Sequence, residues 1–470
     1  MRGSPYTDIV DQLPSCLPTT IIRSVTTSIK PNPPKGEDGK TQTGPEEATM
    51  SSTHETVARS QSPVDPRQRI EAVDMVRGFA LFGVLLVNMF NFGSGGFFWN
   101  EPIDELAWSV KQFFFETKSW RLFSFLFGLS FALQLMRAKE RESKFAPIYL
   151  RRLIILFVFG ATHALIYDGD ILMLFAELGL VLVLFRKVPL TLLLVLSVGL
   201  LAVFPIGRVT TSLLEPTQTT QTTDYSVLLD EATAQIEEDR RTHVYAVGSM
   251  REVMADNAFL KNPFARPLGP ESSLARFAMF LLGLYVGRRR IFQDIPKHIQ
   301  FIRNVFWWSL PIGLVSMGAE RILNATTGYE VFREQQATVL PQLFGDVLFT
   351  YGSTLLALGY AAGITLLAQH HRGRRLLAPL GAVGRLALTV YLSGSVMFGM
   401  LFYGFAFGNA FWLGPAAVTG YAVLFFAIQI VFCVWWTKRF RFGPMEWLWR
   451  ALTYLKFPSM RLQEQSHRKG

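Results

Sequence analysis

Apolar residues dominate ten stretches of the chain, at about 75–92, 120–136, 150–167, 170–186, 189–206, 274–289, 303–322, 343–368, 384–408 and 411–437. A bilayer core about 30 Å thick takes roughly 20 residues of helix, with about 17–25 tolerated, so each stretch predicts a membrane-spanning helix. The polar intervals between them alternate in kind. "RAKERESK" before the third stretch, "RK" at 186–187, "GRRR" from 287, "HHRGRR" from 370 and "TKRFRFG" from 437 are basic and fall at every second connection. The positive-inside rule assigns those connections, and with them both termini, to the cytoplasm. The acidic stretch 101–105, "DGD" at 168–170, the interval 207–273 and the region of Asn324 then face outward. The expected fold class is all-α, a polytopic bundle of about ten transmembrane helices.

The flanking segments read differently. Residues 1–68 are rich in Ser, Thr, Pro and charge without a sustained period, which predicts a disordered cytoplasmic tail. Met50 offers a second start, in which case 1–49 are not native. Helices one to five occupy 69–206 and six to ten occupy 274–437. Between them, 207–273 is too long for a plain connection. Its apolar positions Tyr225, Leu228, Leu229, Ala232 and Ile236, followed by Val244, Val247 and Met254, suit short amphipathic helices over the outer mouth. The last segment, 438–470, contains "GPMEWLWRALTYLKF", the mixture of Trp, Tyr, Arg and Lys expected of a helix at the inner interface.

Composition narrows the class. Half of the 470 residues are hydrophobic, 40 are Phe and 17% are charged, which excludes a disordered chain or one that coats nucleic acid. The formal charge of +10 resides mostly in the short basic connections, so it orients the chain in a bilayer rather than binding DNA. The two cysteines, Cys16 and Cys433, do not make a disulfide framework or a metal site.

Against this apolar background a few polar residues need a reason, because ionisable groups within membrane spans usually face a bundle interior or a watery cavity. "GATHALIYDGDILM" places His163 in the outer third of the third helix, with Asp168 and Asp170 at its boundary. A carboxylate that accepts from one imidazole nitrogen frees the other to take a proton, the arrangement of a general base. Either aspartate suits that role on spacing alone; the plain alternative is a histidine packing a helix end with solvated aspartates. Glu177 is predicted on nearly the same helix face as Asp170, with Arg121 among its candidate partners. In the first helix Asp74 and Arg77 share a face at the inner boundary, and Asn88 lies three turns further out. Arg385 occupies a similar inner position on the ninth helix, and with Arg77 it suits phosphate groups entering from the cytoplasm. "GLYVG" from 283 and "GFAFG" from 404 have the small-residue spacing of close helix contacts. Soluble-enzyme signatures, including a Gly-rich phosphate loop, HExxH and a serine nucleophile elbow, are absent from the sequence.

"VDMVRGFALFGVLLVN", "RLFSFLFGLSFAL", "RRLIILFVFGATHALIYDGDIL", "GRLALTVYLSGS" and "GPMEWLWR", in order over about 69–460, resemble the YeiB-like family of bacterial multi-pass membrane proteins, a domain of unknown function. That family in turn is similar to the transmembrane acyltransferases. The likeness implies transfer of an acyl group from a cytosolic acyl-CoA-type donor, a cosubstrate rather than a bound cofactor, to an acceptor beyond a bacterial cell membrane. An envelope glycan, a lipid or a small molecule would serve as acceptor. Arg77 matches the first-helix arginine of type-three acyltransferases, whereas Asn88 stands where those enzymes carry a histidine. If the reaction persists, His163 is the nearest outward-facing replacement in this sequence, an assignment read from the residues and not from the family: His163 with Asp168 or Asp170 as catalytic group, Arg77 and Arg385 at the donor, and Asn88, Trp120, Arg121 and Glu177 along the route. A transporter with an intramembrane proton path and a non-enzymatic membrane scaffold remain the competing expectations, and oligomeric state is open.

Overall fold

The computed structural model describes residues 70–93, 101–140, 145–214, 235–236, 240–260, 270–327, 339–408 and 413–462. The predicted tail 1–68 and the apolar positions Tyr225, Leu228, Leu229 and Ala232 lie outside the described residues. All ten apolar stretches carry helix. In order these are α1 (Glu71–Gly93), α3 (Lys118–Glu140), α4 (Phe145–Ala164), α5 (Leu172–Leu182), α6 (Leu190–Leu214), α8 (Pro270–Arg288), α9 (Ile295–Thr327), α10 (Val339–Gln369), the pair α11 (His371–Arg385) and α12 (Ala387–Phe402), and α13 (Pro415–Thr437). Further helices among the described residues include α2 (Pro102–Val110), α7 (Met250–Leu260) and α14 (Pro444–Tyr454). The acidic stretch 101–105, expected as a connection, forms the beginning of α2, and the third helix ends at Ala164 rather than near 167.

The chain is a membrane protein. Among the described residues six helical segments, one of them the α2–α3 run Pro102–Glu140, are each long and apolar enough to cross a bilayer, and the α11–α12 pair makes a seventh if taken as one span. The remaining stretches depart from that standard for physical reasons. Helix α5 has only 11 residues before a 3-10 turn at Val183–Lys187. Helix α8 is enclosed by its neighbours, with Phe277, Ala278, Phe280, Leu281 and Leu284 buried, so it needs no lipid-compatible surface. Burial sorts the rest into centre and rim: 72% of the spanning window of α1 is inside the bundle, against 22% for α4 and for α6 and 28% for α13. Those rim helices expose Ile154, Val158, Val195, Val198, Val423, Leu424 and Val431, an apolar coat that water would penalise and acyl chains accept.

Close backbone approach holds the centre together. Gly78 of α1 faces the Leu380 carbonyl and Gly384 of α11 faces the Asp74 carbonyl, each at a spacing that a Cβ would violate. The "GLYVG" glycines, Gly283 and Gly287, both meet α3. By contrast Gly404 of "GFAFG" lies beyond the end of α12 and contacts the carbonyl of Ala246, so this pair serves a turn rather than a helix crossing.

The ninth stretch is broken. At Leu386 the chain turns by 77° between α11 and α12, which exposes the first N–H groups of α12 inside the bundle. Glu446 of α14 supplies their acceptor: one carboxylate oxygen accepts from the Leu388 and Thr389 N–H groups at 2.6 and 3.1 Å, and the other accepts from the Thr389 hydroxyl at 2.6 Å. Burial pushes the Glu446 carboxyl above its ordinary range, and these hydrogen bonds oppose the shift. A cap is thus delivered from a helix 57 residues away in sequence. Glu446→Ala strands three donors, two backbone N–H groups and the Thr389 hydroxyl, and is expected to lower stability by about 1–3 kcal/mol; a thermal melt in micelles that matches the wild type would remove the cap from the account.

Candidate active site

Helix α4 ends one residue after His163, and the chain turns back to start α5 at Leu172. Gly160, one turn before His163, has no side chain, and a Cβ there would lie 2.5 Å from the Met173 nitrogen and 2.9 Å from Asp170 Oδ2. The turn therefore folds tightly onto α4 and brings Asp170 to the imidazole. Nδ1 of His163 and Oδ1 of Asp170 are 2.7 Å apart, both side chains are buried, and Asp170 Oδ2 accepts the Met173 N–H at 3.0 Å. Each carboxylate oxygen thus has a fixed donor. With Nδ1–H donated to the carboxylate, Nε2 carries the lone pair, and Nε2 is sealed from solvent without a hydrogen-bond partner. The Tyr391 and Tyr167 rings flank the imidazole at 5.0 and 5.8 Å.

Asp168, the alternative carboxylate, goes elsewhere. It pairs with Arg241 at 2.9 Å and is 41% exposed, so the structure chooses Asp170 over Asp168 as the partner of His163. Arg241 belongs to a helical stretch at 240–247 that, with α7, covers the turn. Tyr245 donates to Asn257 at 2.9 Å, Asn257 donates to the Leu165 carbonyl at 3.0 Å, and Arg240 pairs with Asp256 at 2.6 Å. Burial among these groups pushes the Tyr245 phenol up. Of the apolar positions expected to form amphipathic helices in this interval, Val244, Val247 and Met254 lie in helical segments bonded to the loop that carries Asp170, with Val247 exposed.

A cavity of about 1040 Å³ is lined by Tyr391, which packs on the imidazole, and not by His163 itself. Its apolar inner end is formed by Leu156, Leu172, Phe175 and Tyr391. Leu156 precedes His163 by seven residues on the same face of α4, and Tyr391 lies against both the cavity and the imidazole. The wall at the opposite end is basic: nine lining residues are Arg or Lys and three are Asp or Glu. Arg77 bridges three helices there, donating to Asp74 at 2.8 Å, to the Gly384 carbonyl at 3.2 Å and to Ser130 at 3.3 Å. Arg385 lines the same wall. So do Arg152, Arg441 and Arg450, with the Arg152 guanidinium 3.8 Å from the Trp449 ring and the Trp449 indole N–H donated to the Arg152 carbonyl at 3.0 Å. Such a wall favours polyanions, since guanidinium groups match phosphate oxygens in pairs.

The remaining residues singled out by sequence separate into two groups. Asn88 lies near the cavity's inner end, beside Tyr391 and Ser395 in a small void of about 10 Å³. Trp120 and Arg121 do not line the route. The cavity-lining positions of α3 include Phe123, Leu126, Ser130, Gln134 and Arg137, and Arg121 is on the opposite face, where it donates to the Thr350 carbonyl at 3.0 Å and to the Thr354 hydroxyl. Glu177 is half-buried on α5, away from the cavity wall. Sequence reasoning missed Arg152, Tyr391, Trp449 and Glu446. "GPMEWLWR" was the available signal for the last two, but its composition points to the membrane interface before it points to a site.

The family described as "Protein of unknown function (DUF418)" matches residues 286–456. The chain is 32% identical to "Uncharacterized protein YxaH" of Bacillus subtilis (strain 168) over 425 residues, 85% of this chain and 97% of the relative. The chain belongs to the DUF418 family. A second relative, "Uncharacterized protein YeiB" of Escherichia coli (strain K12), is 25% identical over 405 residues, 82% of this chain and 96% of its own. No solved structure matches the chain. The DUF418 match spans α9 to α14 and so includes the broken helix, its Glu446 cap and the Trp449–Arg450 side of the cavity, whereas the His163–Asp170 pair lies upstream of it.

Proposed function

We propose that this DUF418 protein is an acyltransferase of the bacterial cell membrane that takes an acyl group from a cytosolic, phosphate-bearing thioester and places it on a hydroxyl or amino acceptor at the far face. One observation carries the reading: a single cavity runs from an arginine-rich mouth to an apolar end that adjoins a buried His–Asp pair whose Nε2 is unpartnered. The phosphates of an acyl-CoA-type donor fit the Arg77, Arg152 and Arg385 wall, and its thioester arm fits the narrower apolar end. Nε2 of His163 then takes the proton of the acceptor as the acceptor's oxygen or nitrogen attacks the thioester carbonyl. The carbon–sulfur bond breaks and the proton passes to the departing thiolate, so no external base or oxidant is needed. Asp170 holds the tautomer and stabilises the imidazolium between the two transfers. The basic mouth is also the end that the positive-inside rule assigns to the cytoplasm, where such donors reside.

The test is a mass comparison of lipids, envelope glycans and small metabolites from cells with and without the protein. A species heavier by one acyl unit only when the protein is present supports transfer. Uptake or efflux in sealed vesicles that follows a pH gradient, with no mass difference, would replace the enzyme by a carrier.

A further inference from the structure

Tyr391 belongs to two places at once. It lines the basic cavity, which His163 does not, and its ring lies against the imidazole with the centroids 5.0 Å apart and the planes at 52°. Both residues are buried within the bundle. The phenol also reaches the turn that orients the imidazole, because its oxygen accepts the N–H of Ile171, the residue directly after Asp170.

The ring is lightly held. Among the described residues that hydrogen bond is the one its hydroxyl makes, and at 3.3 Å it is long for an N–H donor. Space borders the side chain in two places, the large cavity and the void of about 10 Å³ beside Asn88 and Ser395. An aromatic ring in a close-packed interior is pinned by neighbours all round, whereas this one has room to change rotamer. Its backbone is fixed by contrast. Tyr391 follows the Leu386 break by five residues, and the opening N–H groups of α12 at Leu388 and Thr389 are bonded to Glu446. A rigid backbone, a loosely tied ring and a hollow beside it are the parts that a side-chain gate requires.

We propose that Tyr391 is a positioning residue that gates the passage between the basic cavity and His163. With the ring as it stands, the imidazole is shut off from the cavity; with the ring turned away, Nε2 is reached from that side. The proposal rests on the acyl-transfer reading only for what passes, a thioester arm, since the barrier itself is a matter of access to His163. Under that reading the closed ring keeps water from the base until the arm displaces it, which spares the thioester from hydrolysis.

The experiment is timed labelling of the purified full-length protein in micelles with diethyl pyrocarbonate, which acylates an unprotonated imidazole nitrogen, read residue by residue by peptide mass spectrometry. In the wild type, His163 should react at least about 10-fold more slowly than His370 and His371, which are exposed. Tyr391→Phe keeps the ring and loses the Ile171 hydrogen bond, so labelling of His163 should rise about 2- to 10-fold. Tyr391→Ala removes the ring and should label His163 faster still. Leu193→Ala, which opens a gap at a fully buried leucine of α6, should label His163 like the wild type. Equal labelling of His163 in the wild type, Tyr391→Phe and Tyr391→Ala overturns the gate, as does equal acceleration by Leu193→Ala, which would make the effect a general loosening. Should Tyr391→Ala fail to fold, an unaltered rate in Tyr391→Phe overturns it alone. The labelling order without any acyl product from cells that make the wild type would leave the gate in place and remove the transfer reading; product without the labelling order would do the reverse.

Discussion

His163→Ala is expected to reduce acyl transfer by about 10²–10⁴-fold, the range for loss of a positioned general base, with insertion and abundance near those of the wild type. The side chain packs between Tyr391 and Tyr167 and its Nε2 bonds nothing, so its removal leaves a small gap and one carboxylate oxygen without its donor. Asp170→Asn gives the informative companion. The amide oxygen can still accept from Nδ1–H, but the amide nitrogen then meets the Met173 N–H, and the charge that stabilises an imidazolium is gone. Transfer should fall in both variants, whereas Asp168→Asn should spare it because that carboxylate pairs with Arg241. Product accumulation in cells, normalised to immunoblotted protein, reads all three. Undiminished product from His163→Ala would remove the base, and a larger loss in Asp168→Asn than in Asp170→Asn would reverse the assignment of the aspartates.

Gly128→Val should have the largest effect on folding. A Cβ at Gly128 lies 2.0 Å from the Phe280 carbonyl oxygen of α8, and one at Gly283 lies 2.1 Å from the Phe125 carbonyl oxygen of α3. The two backbones touch through paired glycines, so neither helix has a side chain that can rotate away. Valine at 128 must separate α3 from α8, and with them the stacked Phe127 and Phe280 rings at 4.7 Å. The expected loss is about 1–3 kcal/mol or more, seen as a lower melting midpoint and a reduced monodisperse yield in micelles. Gly199→Ala and Gly420→Ala provide the contrast, since nothing lies within 4 Å of a Cβ at either. Equal melting of Gly128→Val and Gly199→Ala would show that α3 and α8 do not pack on bare backbone.

The helices were legible because lipid imposes a long apolar run on any span, and each of the ten runs is helical in the structure. Their depth was less so. Hydropathy alone cannot distinguish a full crossing from α5, whose 11 residues are mostly apolar and mostly buried, nor foresee that Leu386 interrupts the ninth run, since the break depends on an acceptor from distant α14. The site divides similarly. His163 was recognisable as an ionisable group in an apolar context, but Asp168 and Asp170 are equivalent by spacing and only the tight turn at Gly160 separates them. Trp120 and Arg121 share a helix with cavity residues yet neither lines the cavity, a distinction that one-dimensional proximity to the outer boundary does not contain. Trp449 and Arg450 carry the composition of an interfacial anchor while they wall the cavity.

The depth of the basic cavity bears on how the protein would sense membrane voltage. The hollow reaches Leu172, at the first turn of α5 and two residues from Asp170. Across an ordinary span the potential difference is spread over about 30 Å; with electrolyte filling the hollow, it would instead be concentrated over the segment that holds Tyr391, His163 and Asp170. A proton or an anionic group crossing that segment would traverse nearly the whole drop, worth about 2.3 kcal/mol per unit charge at 100 mV. Chemistry at His163 would then be coupled to the energised state of the cell without any moving charge-bearing helix.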